Sequence, residues 1–153
     1  MLEVIKGNLT HAVVERCAEQ HCELRLDGLS NYVVLKGEQV CPDRRMCDCI
    51  IFVATESGVT IGIVELKSKT AHASEVIEKL TNASESALEI LDGCGVRTAK
   101  PEFWHLVLSK RWDASEYRVI TNRKIIVGGK KYPVIPKRCG TCFSAVIHSH
   151  RQA

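Results

Sequence analysis

The chain has 153 residues, of which 45% are hydrophobic and 25% are charged, as in a typical single globular domain over residues 1–153. No apolar run approaches the roughly 20 residues that cross a bilayer, and the first residues lack the apolar core of a signal peptide. These features exclude a membrane-spanning chain, so we expect a cytoplasmic protein with no membrane partner.

The net charge of +3 hides an uneven distribution along the chain. Residues 1–99 carry 10 Lys and Arg against 15 Asp and Glu, whereas residues 100–153 carry 11 against 3. A basic C-terminal third favours a polyanionic partner, and nucleic acid is the commonest one. A solvated basic surface that binds nothing specific is the plain alternative.

The first third of the chain reads as one helix followed by short strands. Apolar residues at helical spacing predict a helix over 7–20. Short strands are predicted over 22–26 and 31–36, and a polar loop over 37–46 leads to the next element.

Residues 47–67 read as a β-hairpin. Two apolar, β-branched runs flank a short polar turn that contains glycine, which is a hairpin signal. If the chain folds back at residues 56–57, Asp48 lies opposite Glu65, and a turn shifted by one residue would place it opposite Lys67. Glu65 and Lys67 are two residues apart and therefore share a face of the strand.

Two carboxylates a few ångströms apart repel each other, so a cation between them is expected. A hard divalent ion such as Mg²⁺ is the natural cation for such a pair. The alternative is an exposed hairpin that ends in an ordinary Glu–Lys pair.

The remaining elements are one long helix and several short strands. The strongest helical pattern covers residues 71–91 and ends before Gly93 and Gly95. A buried strand is predicted over 103–109. A basic β meander follows, with strands over 117–120, 124–127 and 132–135, and a disordered tail is expected from about residue 148.

An acidic residue that heads one strand and a Glu-x-Lys that closes the next resemble the PD-(D/E)xK nuclease superfamily. The resemblance implies that Asp48 and Glu65 bind Mg²⁺ or Mn²⁺ and that Lys67 assists the attacking water. It also implies an α/β fold with a central mixed β-sheet flanked by helices, the restriction-endonuclease-like core. Pro42–Asp43 offers a literal "PD", but we choose Asp48, because it directly abuts the strand whereas Asp43 lies in a polar loop.

In several branches of this superfamily an acidic residue on the first helix adds a metal contact. Here the candidates are Glu15 and Glu19, and we choose Glu15, because it sits next to the apolar stripe of the predicted helix. An exposed, solvated glutamate is the alternative. For the nucleic-acid backbone, the candidate contacts are Lys69, Arg123, Lys124, Lys130 and Lys131.

Eight cysteines are many for 153 residues, and without a secretion signal a disulfide framework is disfavoured. Cys139 and Cys142 form a C-x-x-C pair, which is half of a four-thiolate site. Cys41 with Cys47 or Cys49 would supply the other half for Zn²⁺ or an Fe–S cluster. Cys47 and Cys49 are expected on one face of their strand, opposite Asp48.

These patterns together predict a divalent-metal-dependent nuclease that hydrolyses phosphodiester bonds in DNA. The alternative is a catalytically inactive module on the same fold that binds nucleic acid or protein. Because one domain offers one cutting centre, cleavage of both strands would be easiest for a homodimer.

Overall fold

The computed structural model describes residues 1–67, 72–95 and 100–151. The helices are α1 (Leu2–Asn8), α2 (Gly37–Val40), α3 (Ala73–Gly93), α4 (Ala114–Thr121) and α5 (Phe143–Arg151), with a 3₁₀ turn at Thr10–Ala12. The strands are β1 (Val13–Val14), β2 (Cys17–Glu19), β3 (Cys22–Leu24), β4 (Tyr32–Lys36), β5 (Cys49–Thr55), β6 (Gly58–Lys67), β7 (Glu102–Ser109), β8 (Lys124–Val127) and β9 (Lys130–Arg138).

A mixed sheet of seven strands, in the order β1–β4–β5–β6–β7–β9–β8, forms the centre of the fold. Strands β1, β4, β5 and β6 are antiparallel to their neighbours, whereas β6, β7 and β9 run parallel. Helix α3 is the crossover that parallel strands β6 and β7 require. The predicted α/β architecture, a central mixed sheet flanked by helices, is therefore confirmed.

Each face of the sheet carries its own hydrophobic cluster. Helices α1, α3 and α4 contribute Ile5, Leu80 and Ile120 to one cluster. Helix α5 contributes Phe143 to the other cluster, where the separate β2–β3 hairpin also packs through Leu24. The sheet is thus covered on both sides, and none of the described helices is long and apolar enough to span a membrane.

The hairpin over 47–67 is confirmed almost residue by residue. Strands β5 and β6 join through a two-residue turn, and Thr55 pairs with Gly58 on either side of it. The same register pairs Cys49 with Val64 at the other end of the hairpin. The long helix and the buried strand predicted over 103–109 are also present as α3 and β7.

The helix predicted over 7–20 is wrong. The helical part ends at Asn8, and Val13 and Val14 pair with Leu35 and Val34 of β4 as a short edge strand. The apolar spacing over this segment fits both periods, and β-branched side chains favour a pleated surface where a partner strand exists. The loop predicted over 37–46 also differs, because it begins with the short helix α2.

The C-terminal β meander is wrong in part. Residues 117–120 belong to α4, whose N-terminus is capped by Asp113 accepting a hydrogen bond from the Ser115 N–H. Only β8 and β9 form an antiparallel hairpin, and β9 then runs parallel to β7. The expected disordered tail is also not seen, since α5 continues through Arg151.

Two disulfide bonds, Cys17–Cys49 and Cys22–Cys139, correct the expectation that the cysteines are unpaired. Both bonds tie the β2–β3 hairpin to the main sheet, one from each of its strands. Disulfides are rare in reducing compartments, so these bonds count against the cytoplasmic location, which stays a prediction. The described free cysteines are Cys41, Cys47, Cys94 and Cys142.

Replacing both Cys22 and Cys139 with serine is expected to lower the free energy of unfolding by about 4 to 5 kcal/mol, as the chain-entropy relation gives for a loop of this length. The bonded cysteines are 117 residues apart. Urea unfolding in non-reducing buffer measures the loss, and serine at the free Cys41 and Cys94 is the matched control. Equal stability of the two double variants would contradict the Cys22–Cys139 bond.

Candidate functional site

Two carboxyl groups meet at one end of the sheet. Asp48 directly precedes β5, and the register that pairs Cys49 with Val64 places Asp48 opposite Glu65. The Leu66 N–H donates a 2.6 Å hydrogen bond to Asp48 Oδ2, which fixes the carboxyl across the hairpin. The Glu65 side chain is only 1% exposed. The structure therefore brings the predicted acidic pair together, with Glu65 buried and Asp48 half-buried.

Gly37 allows the close backbone approach that positions Asp48. The Gly37 N–H donates a 3.0 Å hydrogen bond to the Asp48 carbonyl oxygen. A Cβ atom at Gly37 would lie 1.9 Å from the Cys47 carbonyl oxygen, well inside the contact limit. Only glycine fits here, so the start of α2 holds the backbone of Asp48 in place.

Two lysines converge on the Glu65 carboxylate. The Nζ atoms of Lys67 and Lys79 lie 3.2 and 3.1 Å from Glu65 Oε2. This oxygen is buried and has no hydrogen bond of good geometry, so the two ion pairs are its compensation. Partial burial lowers the pKa of Lys79, but the charge and hydrogen bonding of Glu65, with smaller contributions from Lys67 and Asp48, together outweigh burial and raise it. The Lys79 amine is therefore held as a cation beside the acidic pair.

A third carboxyl, that of Glu19 at the end of β2, joins the pair. Burial, then hydrogen bonding to Glu65 and to Glu19, raises the pKa of Asp48 from 3.8 to about 9. The hydrogen bond from Leu66 opposes this rise but does not cancel it. Asp48 is therefore protonated at neutral pH, and its proton takes the place of a cation among three acidic groups.

The structure favours Glu19 over Glu15 as the third acid. Both side chains are exposed, but Glu15 lies between β1 and β2 and lines a surface depression with Glu23 and Asp27, whereas Glu19 is hydrogen-bonded to Asp48. Among the described contacts, none joins Glu15 to Asp48 or Glu65. The Cys17–Cys49 bond, which links residues close to Glu19 and Asp48 in the chain, brings β2 to the site.

Sequence reasoning missed Lys79 and did not choose Glu19. One signal was available for Lys79, because it lies three residues after Val76 and four before Ala83, both on the buried stripe of α3. A lysine at the border of such a stripe extends its charge from an apolar helix face. Glu19 had no comparable signal, since its position depends on the disulfide and on a strand that reads as helix.

The four cysteines predicted to bind Zn²⁺ or an Fe–S cluster do not come together. Cys139 is bonded to Cys22 and packs on the α5 face of the sheet, whereas Cys47 is buried on the α3 face. Burial, followed by the charges of Glu65 and Asp48, raises the pKa of the Cys47 thiol well above its ordinary value. A buried protonated thiol is a poor ligand, and Cys41 is a free, partly buried cysteine that packs against the same cluster.

Cys47 and Cys49 also lie on opposite faces of the sheet, not on one face as expected. The chain before β5 is irregular, so strand alternation does not extend back from Cys49 to Cys47. The remaining member of the predicted set is Cys142, which directly precedes α5. Its thiol lies 3.3 Å from the Asp27 carbonyl oxygen.

The donor set fits a hard divalent ion by its chemistry. Carboxylate oxygens are the preferred ligands of Mg²⁺ and Mn²⁺, and the raised pKa of Asp48 shows that a negative charge on it is unfavourable here without a cation. In the described ranges, no three or more His, Cys, Asp or Glu side chains are arranged as a metal site. The amines of Lys67 and Lys79 and the Asp48 proton supply the compensation instead.

The basic residues predicted to hold nucleic acid lie away from this end of the sheet. Lys130 and Lys131 are at the start of β9, and Lys124 pairs with Pro133 on the same hairpin. Since β9 runs parallel to β6, its first residues lie at the opposite end from Glu65. Arg123 immediately precedes β8, and Lys69 lies outside the described residues.

Compared with protein-family models, curated proteins and solved structures, the chain matches none of them. Its function is therefore argued from the geometry and chemistry of the site alone.

Asp48→Asn is expected to flatten the pH dependence of stability between about pH 6.5 and 8.5. The folded state keeps the Asp48 proton up to about 9, whereas the unfolded chain loses it near 3.8, so wild-type stability falls as pH rises. The fall is about 1.4 kcal/mol per pH unit, and asparagine removes it. Urea unfolding of both proteins across this window measures the difference.

The window avoids the buried His105, whose pKa burial lowers from 6.5 to about 3. In the unfolded chain His105 takes up a proton only below about pH 6.5. The contribution of His105 to the pH dependence of stability is therefore a loss of stability as pH falls below 6.5, and it is absent above that pH. Equal slopes for wild type and Asp48→Asn would contradict a protonated Asp48.

Proposed function

We propose that the protein is a divalent-metal-dependent nuclease that hydrolyses phosphodiester bonds in DNA. The observation that carries the proposal is the pairing of the half-buried Asp48 with the buried Glu65, whose Oε2 has two lysine amines within 3.2 Å. Buried acids with a strongly raised pKa and adjacent cations are typical of catalytic sites. The arrangement also supports the resemblance to the PD-(D/E)xK superfamily on the residues that first suggested it.

The connectivity of the elements supports a restriction-endonuclease-like core. Helix α1 precedes the antiparallel strands β4, β5 and β6, and α3 follows the Glu-x-Lys strand and leads into β7. This order agrees with the helix–hairpin–helix arrangement that the resemblance implies. The β2–β3 hairpin and the β8–β9 hairpin are additions to that core.

Asp48 and Glu65 would hold Mg²⁺ or Mn²⁺, with Glu19 hydrogen-bonded to Asp48, and the ion would supply Lewis-acid activation of water and neutralise charge on the phosphate. Lys67 would orient the attacking water and stabilise the negative charge that develops on phosphorus. Lys79, which contacts the same Glu65 oxygen, would keep that carboxylate oriented and add a second positive charge. Asp48 would give up its proton on metal binding and become a carboxylate.

A catalytically inactive binding module on the same fold is the second candidate. The observation that favours it is that both lysines already neutralise Glu65 and that Asp48 is protonated, so the described cluster is balanced without a metal.

Cleavage of both DNA strands by a homodimer and a location in the cytoplasm remain further parts of the nuclease proposal.

Metal binding is expected to release about one proton per ion at pH 7, because Asp48 must ionise to become a ligand. Isothermal titration calorimetry with Mg²⁺ or Mn²⁺ in buffers of different ionisation enthalpy counts the protons without any activity assay. Asp48→Asn is expected to abolish the release. Metal binding without proton release would contradict the assigned role of Asp48.

Asp48→Ala and Lys67→Ala are each expected to lower metal-dependent DNA cleavage at least about 100-fold, as when a charge-stabilising group is removed from a catalytic site. Glu19→Gln is expected to lower it about tenfold or more, while the matched Glu15→Gln variant keeps wild-type activity. Labelled single-stranded, duplex and branched DNA are the substrates, with Mg²⁺ and Mn²⁺ tested separately.

Circular dichroism of each variant shows whether it is folded. Full activity of a folded Lys67→Ala variant would contradict the nuclease proposal. Absence of cleavage by wild type on every substrate, together with retained DNA binding, would favour the inactive module.

A further inference from the structure

The parallel strands bring cations of the basic third to the acidic end of the sheet. Lys67, Ser109 and Arg138 are register partners on β6, β7 and β9. Neighbouring strands are about 4.8 Å apart, so the backbone of Arg138 lies roughly 10 Å from that of Lys67. Lys110 and Arg111 directly follow Ser109, where β7 ends. We call Lys110, Arg111 and Arg138 the basic rim.

One member of the basic rim, Arg138, lies on the face of the sheet that α3 covers. Phe103 and Val107 of β7 pack in the α3 cluster, so alternation places Ser109 on that face as well. Val134 of β9 belongs to the same cluster, and the same alternation gives Arg138 this side of the sheet. Glu65 and Lys67 therefore share a face with Arg138, two strands away.

The basic rim is free to bind a ligand. All three of its side chains are exposed, and in the part of the chain that the structure describes none forms an ion pair. Arg44 and Arg45, by contrast, pair with Glu85 and Glu75 of α3. An acid close to Arg111 in the chain, Asp113, instead accepts hydrogen bonds from the Ser115 N–H and hydroxyl. Three unneutralised cations thus border one side of the acidic site.

We infer that the basic rim binds the phosphodiester backbone of the nucleic-acid substrate and leads it to the Asp48–Glu65 pair. The inference rests on the proposed function, because it assigns the substrate contacts of that same site. A row of exposed cations recognises regularly spaced phosphates without reading bases. The β8–β9 lysines do not take this role, since Lys130 precedes Arg138 by eight residues on β9, about 26 Å along the strand.

The test compares two variants that each lose two positive charges from the basic third. Arg111→Ala/Arg138→Ala removes two members of the basic rim, and Lys130→Ala/Lys131→Ala is the matched control at the far end of β9. Binding of a labelled duplex DNA is measured by fluorescence anisotropy without divalent ions, at several salt concentrations. Leaving out the metal separates binding from cleavage.

The rim variant is expected to bind about 60-fold more weakly at about 0.1 M salt, and the salt slope of log K should fall by about 1.8, as for two lost phosphate contacts. The control is expected to stay within about twofold of wild type. Equal losses in both variants, or no loss in the rim variant, would overturn the inference.

The same measurements keep this inference distinct from the nuclease proposal. Asp48→Ala, which removes an acid and no cation, is expected to bind DNA at least as well as wild type while failing to cleave it. Rim-dependent binding by a protein that never cleaves would support the basic rim and count against the nuclease. Equally tight binding of poly-glutamate, which has the charge but no phosphates, would overturn the assignment to nucleic acid.

Discussion

The burial of two carboxyl groups side by side, Asp48 and Glu65, is the constraint on which the site depends. Two adjacent negative charges out of water are strongly unfavourable unless each is compensated. Glu65 has the amines of Lys67 and Lys79, and Asp48 keeps a proton and accepts a hydrogen bond from the Leu66 N–H. Lys67 of β6, Lys79 of the crossover helix α3 and the Asp48 proton therefore balance the negative charge of the two carboxyl groups together.

Long-range covalent and backbone contacts hold the groups of this balance in place. Gly37 allows the main chain of α2 to touch the segment that carries Asp48, since any side chain there would strike the Cys47 carbonyl. The Cys17–Cys49 bond draws β2, and with it Glu19, to the start of β5. The Cys22–Cys139 bond ties the other strand of that hairpin to the end of β9. The hairpin is therefore positioned by the same strands that form the site.

Local patterns were enough to predict the centre of the fold and half of the site. The β5–β6 hairpin has strong strand residues and a clear turn, so the sequence predicted Glu65 or Lys67 as the partner of Asp48, and the register places Asp48 opposite Glu65. Glu19 was out of reach, because Val13 and Val14 suit a helix stripe and a strand alike and the deciding partner, β4, is distant in sequence. For α4 the signal was present, since Asp113 and Glu116 have the spacing of a capping box.

The same distinction between local sequence patterns and long-range strand pairing explains which charged residues reach the site. A count of Lys and Arg identifies a basic third, but the sheet register decides which of those residues reach the acidic end. The parallel pairing of β7 and β9 sends Arg138 there and Lys130 to the opposite end. No property of the individual basic side chains shows which end of the sheet they occupy. A choice of binding residues from composition therefore selects the densest cluster of Lys and Arg.

The energetics of Asp48 bear on the choice between an enzyme and an inert module. A carboxyl whose pKa is raised to about 9 destabilises the folded protein at neutral pH relative to an ordinary exposed acid. Buried charged clusters are weak evidence for stability, because well-packed apolar residues of similar volume often serve as well or better. An acidic pair that destabilises the fold is better explained if the acids have a functional role. Loss of that proton to solvent when a cation binds would turn the unfavourable pair into a ligand set, which is the physical reason that the nuclease proposal is preferred.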